Sequence, residues 1–394
     1  MNGRDIELGA VAAFIRGVTF KPDDVTAADN IDTVACMRTS NVQSVLDTSD
    51  VWRIPSELVK RPDQYLRDGD ILVSSANSWN LVGKCCWVPE LPGRATFGGF
   101  VSVLRVHAPA LDPRYAYWWF ESSRTQQVVR SFGRRTTSIS NLDLARCLRL
   151  RIPLPALEEQ RRIARVLDAA DALNARCRDS SALTQPLLHA AFAAMFGHPS
   201  GQSRWPRAPV GDVAHVITGN TPPRAVAGNF GDFIGWIKNG NVRRDQPFVT
   251  TPDEGLSTVG AAKARIVDAG TVLVTCISGS PAQIGRVAIT DTRVAFNQQI
   301  NAIVSDAVDP RFLCTQLRMA PTRLRRLSSG GMKGMISKSA LEGFELMLPP
   351  LDEQRRFGEV FDRIEAARVQ STRRNAESSA LVASLQRRAF SGAL

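Results

Sequence analysis

The sequence predicts an α+β protein: two duplicated domains separated by two long helices that pair as an antiparallel coiled coil. Three observations predict it. Ile152-Pro153-Leu154-Pro155-Ala156-Leu157-Glu158-Glu159-Gln160-Arg161-Arg162 returns as Leu346-Met347-Leu348-Pro349-Pro350-Leu351-Asp352-Glu353-Gln354-Arg355-Arg356 about half a chain later. Shorter echoes keep the same order. Leu8-Gly9-Ala10-Val11-Ala12 answers Val210-Gly211-Asp212-Val213-Ala214, Asn41-Val42 answers Asn241-Val242, and Asp112-Pro113-Arg114-Tyr115 answers Asp309-Pro310-Arg311-Phe312. Each long motif also opens a polar segment in which apolar residues recur at heptad spacing. A repeat unit this long implies duplicated domains, not a solenoid. Two similar halves should present two similar surfaces about a pseudo-two-fold axis.

The domains are read as residues 1–153 and 199–347. Ile71-Leu72-Val73 and Val101-Ser102-Val103-Leu104 in the first, with Val272-Leu273-Val274 and Val287-Ala288-Ile289 in the second, are short β-branched runs bounded by turn formers, as strands should be. Helical stretches follow at about 113–131 and 310–327. Strand and helix do not alternate regularly, so a doubly wound sheet is not indicated. Trp118-Trp119 and Trp236 are assigned to cores.

The spacer segments are read as 154–198 and 348–394. Each helix begins after a proline with acids in its first turn, Glu158-Glu159 and Asp352-Glu353, where the helix dipole favours them. In the first, Ile163, Ala170, Cys177, Thr184 and Ala191 form one heptad row, and Val166, Leu173, Ser180, Leu187 and Ala194 the other. In the second, the rows are Phe357, Ile364, Ser371, Ser378 and Leu385, with Val360, Ala367, Arg374, Leu381 and Arg388. Small and polar residues in such rows suit a close helix pair better than an isolated zipper. The offset between repeats grows from 194 at Gln160/Gln354 to 198 at Leu183/Leu381, a four-residue insertion of the kind that restores phase in a coiled coil. About 38 helical residues would span roughly 57 Å, enough to act as a ruler. Pro186 removes a backbone donor and should kink or break the first helix. The plainer alternative is two shorter amphipathic helices packed on their own domains.

At 394 residues and 44% apolar content, the chain can bury ordinary cores. No signal-peptide pattern and no long apolar run is present, so a soluble cytoplasmic protein without membrane contact is expected. Seven cysteines without metal-ligand spacing suit reduced thiols. The net charge of +11 asks for an acidic partner. Residues 114–141 carry a net +4 and the equivalent 311–338 a net +7, which accounts for the whole excess. A charge run is ordinarily a solvated face; finding the excess at the same place in both repeats argues against that reading here.

Catalytic signatures are missing. There is no Gly-x-Ser-x-Gly, no phosphate loop, no dinucleotide glycine pattern, no acidic-x-Lys element and no Asn/Asp-Pro-Pro-aromatic motif, Thr221-Pro222-Pro223-Arg224 being the nearest. The chain reads as non-catalytic, and the duplicated surfaces must bind something. Cations and hydroxyls suited to phosphate contact are Arg130, Arg134, Arg135, Thr136 and Ser138 in the first domain, and Arg323, Arg325, Arg326, Lys333 and Lys338 in the second. Bidentate side chains suited to base edges are Arg38, Asn41 and Gln43, matched by Lys238, Asn239, Asn241 and Arg243. Asn77, Trp79 and Asn80, then Asn297, Gln298 and Gln299, come next. Each of these side-chain types serves equally as a turn or capping residue.

The two proline-led Leu-(Glu/Asp)-Glu-Gln-Arg-Arg helices, each following an α+β domain, resemble the DNA-specificity subunit of type I restriction-modification systems over essentially the whole chain. The resemblance implies two target-recognition domains, each reading half of a split, asymmetric site on double-stranded DNA, with paired helices fixing the gap. It implies that Leu157, Glu159, Gln160 and Arg161, and Leu351, Glu353, Gln354 and Arg355, are structural or partner-facing. It also implies two methyltransferase subunits as partners, S-adenosylmethionine bound on them, and an optional restriction subunit using ATP and Mg; this chain itself would hold no cofactor or metal. A coiled-coil adaptor whose basic loops bind acidic proteins, and a cryptic nuclease or methyltransferase, are the readings from other classes.

Overall fold

The computed structural model describes residues 4–26, 32–135, 139–226, 228–328 and 334–392, with the side chain of Arg135 left out. The chain forms two compact units, and they do not follow chain order. One unit joins residues 1–177 to 374–394, and the other is 178–373.

In the first unit a four-stranded antiparallel sheet runs in the order Ala12–Arg16, Val101–Val106, Ile71–Ser74, Cys85–Trp87. Ile71–Ser74 is central and buried throughout, which is why it is apolar at consecutive positions. Side chains alternate across it. Ile71 and Val73 join a core with Tyr115, Trp118 and Trp119 from the helix over that face, whereas Leu72 joins a second core with Phe97, Val101 and Val103. A second sheet orders Trp52–Pro55, Thr33–Met37 and Ala95–Phe97. A third orders Gly133–Arg135, Ser140–Leu142 and Ala76–Asn77.

The second unit repeats the four-stranded sheet of this plan, while its second sheet gains a strand and its third keeps only two among the described residues. His215–Thr218, Ile300–Val304, Val272–Thr275 and Val287–Ile289 form its four-stranded sheet. Gly255–Leu256, Phe230–Ile237, Val294–Phe296 and Ile266–Val267 form the next. Val272 and Val274 again face one core and Leu273 the other.

The helical stretches after these sheets are each two helices, not one. Ser122 leaves helical geometry between Pro113–Glu121 and Ser123–Ser131, and its hydroxyl caps the second of them. Pro321 restarts the chain after Pro310–Arg318. Trp118, Trp119 and Trp236 are buried.

The first long helix, Leu157–Ala182, stops one residue short of a new helix, Thr184–Phe196. Pro186 cannot donate to the Ala182 carbonyl, so the ladder fails there. The second, Leu351–Ser391, runs 41 residues unbroken. Within the first unit Asn174 meets Ser379 while Ile163 and Leu167 share a core with Leu385 and Ala389, so the two segments run antiparallel. Within the second, Phe192 and Phe196 meet Phe357 while Thr184 and Leu188 line a cavity with Phe361, Ile364 and Arg368, again antiparallel.

The heptad rows need one correction, the same in both helices. Ile163 and Ala170, and Phe357, Ser371 and Ser378, are buried as read from the sequence. The companion row lies one residue further on. It holds Leu167, Asn174 and Leu188 in the first segment, and Phe361 and Ala389 in the second. Leu173, Leu187 and Leu381 of the row first assigned are exposed at 50%, 56% and 46%. The helices pack against their own domains as well as each other, and the domain contact turns the buried stripe toward that side.

Candidate nucleic-acid interface

The loop after the Thr33–Met37 strand is organised by one buried amide. Asn41 Oδ1 accepts from the Arg38 N–H at 2.8 Å, while Nδ2 donates to the carbonyls of Asp47 at 2.7 Å and Asp50 at 2.9 Å. The second domain repeats the device. Asn241 Oδ1 accepts from the Lys238 N–H at 2.9 Å, and Nδ2 reaches the Thr250 hydroxyl and Thr251 carbonyl. The echo of Asn41 in Asn241 is therefore a loop-closing hydrogen-bond motif, and both amides are used up inside the fold.

Each loop sets a cation against a tryptophan. The Arg38 guanidinium lies 4.4 Å from the Trp52 ring centre and donates to Asp50. Lys238 Nζ lies 5.6 Å from the Trp236 ring and 2.7 Å from Glu254. Hydrogen bonds from Arg224 and Lys238 push the Glu254 carboxyl down to about 2. It remains ionised and holds both cations in place.

Beside this loop, four chain segments of the first domain converge. Gln43 is exposed and accepts from Lys84 Nζ at 2.5 Å. The Lys84 carbonyl accepts from the Ser74 N–H at 2.8 Å, and Asn77 Nδ2 donates to the Ser74 hydroxyl at 3.0 Å. The Ala76–Asn77 strand pairs with Ser140–Asn141, and that strand with Arg134–Arg135. The Arg134 side chain is 79% exposed, with Nη2 2.7 Å from Asp143. Asn80 is exposed nearby in sequence, and Arg130 is half-buried in the last turn of Ser123–Ser131. Thr136, Ser138 and Lys333 lie outside the described residues. Sequence reasoning missed Lys84 and the exposed Phe100, whose carbonyl accepts from the Ser75 and Ala76 N–H groups. Aligning Phe97-Gly98-Gly99-Phe100 with Phe296-Asn297-Gln298-Gln299 is the signal that would have found that turn.

In the second domain Asn239 Nδ2 donates to the Ile277 carbonyl at 2.7 Å. Asn297 Oδ1 accepts from the Gln299 N–H at 3.1 Å, and the exposed Gln298 accepts from the Thr221 hydroxyl. Arg243 is exposed and paired with Asp245 at 2.9 Å.

Much of the basic excess is spent inside the fold. Arg318 donates to the carbonyls of Gln246 at 2.7 Å and Val287 at 2.9 Å, and Arg323 to those of Pro199 and Glu345, both at 3.1 Å. Arg114 pairs with Asp168, and Arg311 with Asp309 and Asp362. Arg325 and Arg326 are exposed, and Lys338 sits 3.6 Å from Glu342.

The helix starts are anchored by the same kind of buried glutamine. Gln160 is fully buried; its Oε1 accepts from the Asp112 N–H at 2.9 Å, and Nε2 donates to the Ala110 and Pro155 carbonyls. Gln354 Oε1 accepts from the Asp309 N–H at 3.0 Å and Nε2 donates to Pro349. Asp112 and Asp309 in turn cap the helices Pro113–Glu121 and Pro310–Arg318. Leu157 and Leu351 are half-buried, Glu159 and Glu353 pair with Arg162 and Arg356, and Arg161 and Arg355 stay more than half exposed.

The family model for the type I restriction modification DNA specificity domain matches twice, over residues 5–179 and 202–377. The chain belongs to the type I restriction-modification DNA-specificity family. It is thus a DNA-recognising, non-catalytic component of such a system. The MjaX type I restriction enzyme specificity subunit of Methanocaldococcus jannaschii is 23% identical over 308 residues, 73% of this chain and 69% of that protein. The StySPI specificity subunit of Salmonella potsdam is 30% identical over 162 residues, 41% of this chain and 34% of that protein. The specificity-subunit fold is shared with the S subunit from M. genitalium, with a TM-score of 0.60 at 13% identity over 99% of this chain and 96% of that one. A chain from a structural study of type I assembly and conformational transition gives the same TM-score, 0.60, at 19% identity over 100% of this chain and 99% of the other.

Among the described residues of this specificity protein, no group of His, Cys, Asp and Glu could hold a metal ion, and no helix is long and apolar enough to cross a membrane. All seven cysteines are free. Burial pushes Cys36, Cys86, Cys147, Cys276 and Cys314 up to about 12, so these thiols stay protonated and unreactive.

Proposed function

We propose that the chain reads a bipartite, asymmetric site on double-stranded DNA, one half per domain, and thereby directs methylation and restriction by partner subunits. The observation that carries this reading is the pairing of one strand plan with two different sets of loop side chains. Equal scaffolds can approach DNA in the same way, and unequal side chains then select unequal half-sites. Two methyltransferase subunits would bind, because each unit offers the same junction of domain and helix. S-adenosylmethionine would be held by those subunits, and ATP with Mg by an optional restriction subunit. Work on DNA with free thiols, six of the seven buried, suits the cytoplasm. Family membership does not favour the adaptor reading.

The test is methylation mapping of DNA from a host expressing this chain with a partner methyltransferase, against a host lacking only this chain. A split motif that requires the chain is expected. A stable complex without such a motif would turn belief to the adaptor.

A further inference from the structure

Singly exposed apolar side chains are ordinary on protein surfaces. Phe100 differs in how it is held. It is 64% exposed, while Phe97 and Val101 on either side of the turn are fully buried. The Val101 N–H closes the turn on the Gly98 carbonyl at 2.9 Å. The Phe100 carbonyl is fixed by N–H groups of Ser75 at 3.0 Å and Ala76 at 3.1 Å. Those two residues lead into Asn77, so the ring is displayed by the same small sheet that carries Asn77 and Arg134.

The second domain builds the same turn from other chemistry. The Ile300 N–H closes on Asn297 at 3.1 Å, and the Gln299 carbonyl accepts from Cys276 at 2.8 Å and Ile277 at 3.1 Å. Gly98-Gly99-Phe100 is thus replaced, position for position, by Asn297-Gln298-Gln299. Amides can pair with the donor and acceptor edge of adenine, whereas a phenyl ring has nothing to donate or accept. The apolar group that a major groove offers it is the thymine 5-methyl.

We propose that Phe100 is a specificity-determining residue that packs against the 5-methyl group of a thymine in the half-site read by the first domain. The inference rests on the DNA-reading role proposed above. It explains how one backbone turn gives the two domains different targets: a methyl contact in one, and amide hydrogen bonds from Gln298 and Gln299 in the other, Asn297 being buried with both amide atoms bonded to Gln299.

The experiment uses the full chain in complex with its methyltransferase and duplexes carrying the mapped motif, with each thymine in turn replaced by deoxyuridine, which lacks only the methyl group. For the unaltered protein, one replacement in the first half-site should weaken binding about fourfold, as burial of a single methyl implies. Phe100→Ala should bind the parent duplex more weakly and show no further loss at that position, while Phe100→Leu should keep part of the sensitivity. Replacements in the second half-site should act equally on all three proteins. A first half-site with no methyl-sensitive thymine, or a sensitivity that survives in Phe100→Ala, overturns the proposal while leaving the bipartite reading intact. Absence of any sequence preference in the unaltered complex overturns both. Loss of complex assembly in Phe100→Ala, with unchanged DNA discrimination, would make the ring a protein contact instead.

Discussion

The junction between domain and helix is built the same way in both repeats, whereas the loops beside the sheets are not. Gln160 and Gln354 tie the helix starts to Asp112 and Asp309 with nearly equal hydrogen bonds, and Arg114 and Arg311 brace those junctions to Asp168 and Asp362. The loops share their closing amide and a cation set between a tryptophan and an acid, but the residues that build the second device differ. Arg38 with Asp50 and Trp52 in one domain is exchanged for Lys238 with Glu254 and Trp236 in the other. Geometry that positions is duplicated, and chemistry that selects is free to differ.

The aromatic packing at the junction tests how far that equivalence extends. Phe192, Phe312 and Phe357 cluster in the second unit with centroids 5.2 to 6.5 Å apart. Tyr115 and Phe390, with Ile163, occupy the corresponding places in the first, and the Tyr115 hydroxyl donates to the Pro153 carbonyl. Phe357→Ala should cost about 3–5 kcal/mol in the second unit by opening a cavity among rings, and Ile163→Ala less in the first. Hydrogen exchange resolved by unit would measure both; equal losses would mean the aromatic cluster adds nothing beyond volume.

The shifted heptad row gives the next effect. Leu167→Ala should cost about 2–5 kcal/mol, and Leu173→Ala less than about 0.5 kcal/mol, in denaturant unfolding. Similar costs would restore the row first read from the sequence. Gln160→Ala and Gln354→Ala should each cost about 1–3 kcal/mol, because the first strands the Asp112 N–H and two carbonyls at a partly buried junction and the second the buried Asp309 N–H and the Pro349 carbonyl. A marked inequality between them would break the claim that the junctions are equivalent.

The smallest effect is electrostatic and confined to one repeat. Burial raises the Glu121 carboxyl above its ordinary range, a hydrogen bond from Gln386 opposes that, and Asp171 adds to it. Arg318 stands at the corresponding place in the second unit. A raised carboxyl means that the folded state holds its proton more tightly than the unfolded one. Stability is therefore lost as pH rises through the ordinary carboxylate range to the raised value. Glu121→Gln should melt higher than the parent protein at pH near 8, and the gain should vanish below about pH 4. A gain that persists in acid would point to packing instead of charge.

The duplication, the helix starts and the central strands were legible because each is written as a repeated or periodic pattern. Pro186 announced the break at Leu183 because a missing donor acts locally. The companion heptad row was misread because Val166 and Leu167 are equally apolar; only the domain packed beside the helix decides between them. The loop chemistry was half legible. Asn41 and Asn241 stood out correctly as an echo, but an amide that closes a loop and one that reads a base look alike in sequence. Arg318 illustrates the same limit for charge, since its carbonyl partners come from residues 243–246 and 287, far along the chain.

The way the compact units are divided has a consequence for synthesis. Residues 178–373 form a continuous unit, whereas the first unit is completed by residues 374–394. As the chain leaves the ribosome, the later-made unit has all its parts first. The earlier-made domain must wait for Gln386, Ala389 and Phe390 to reach Glu121 and Tyr115. A stop codon shortly after Arg373 would therefore injure the amino-terminal domain, the one furthest from the lesion in sequence, and spare its neighbour.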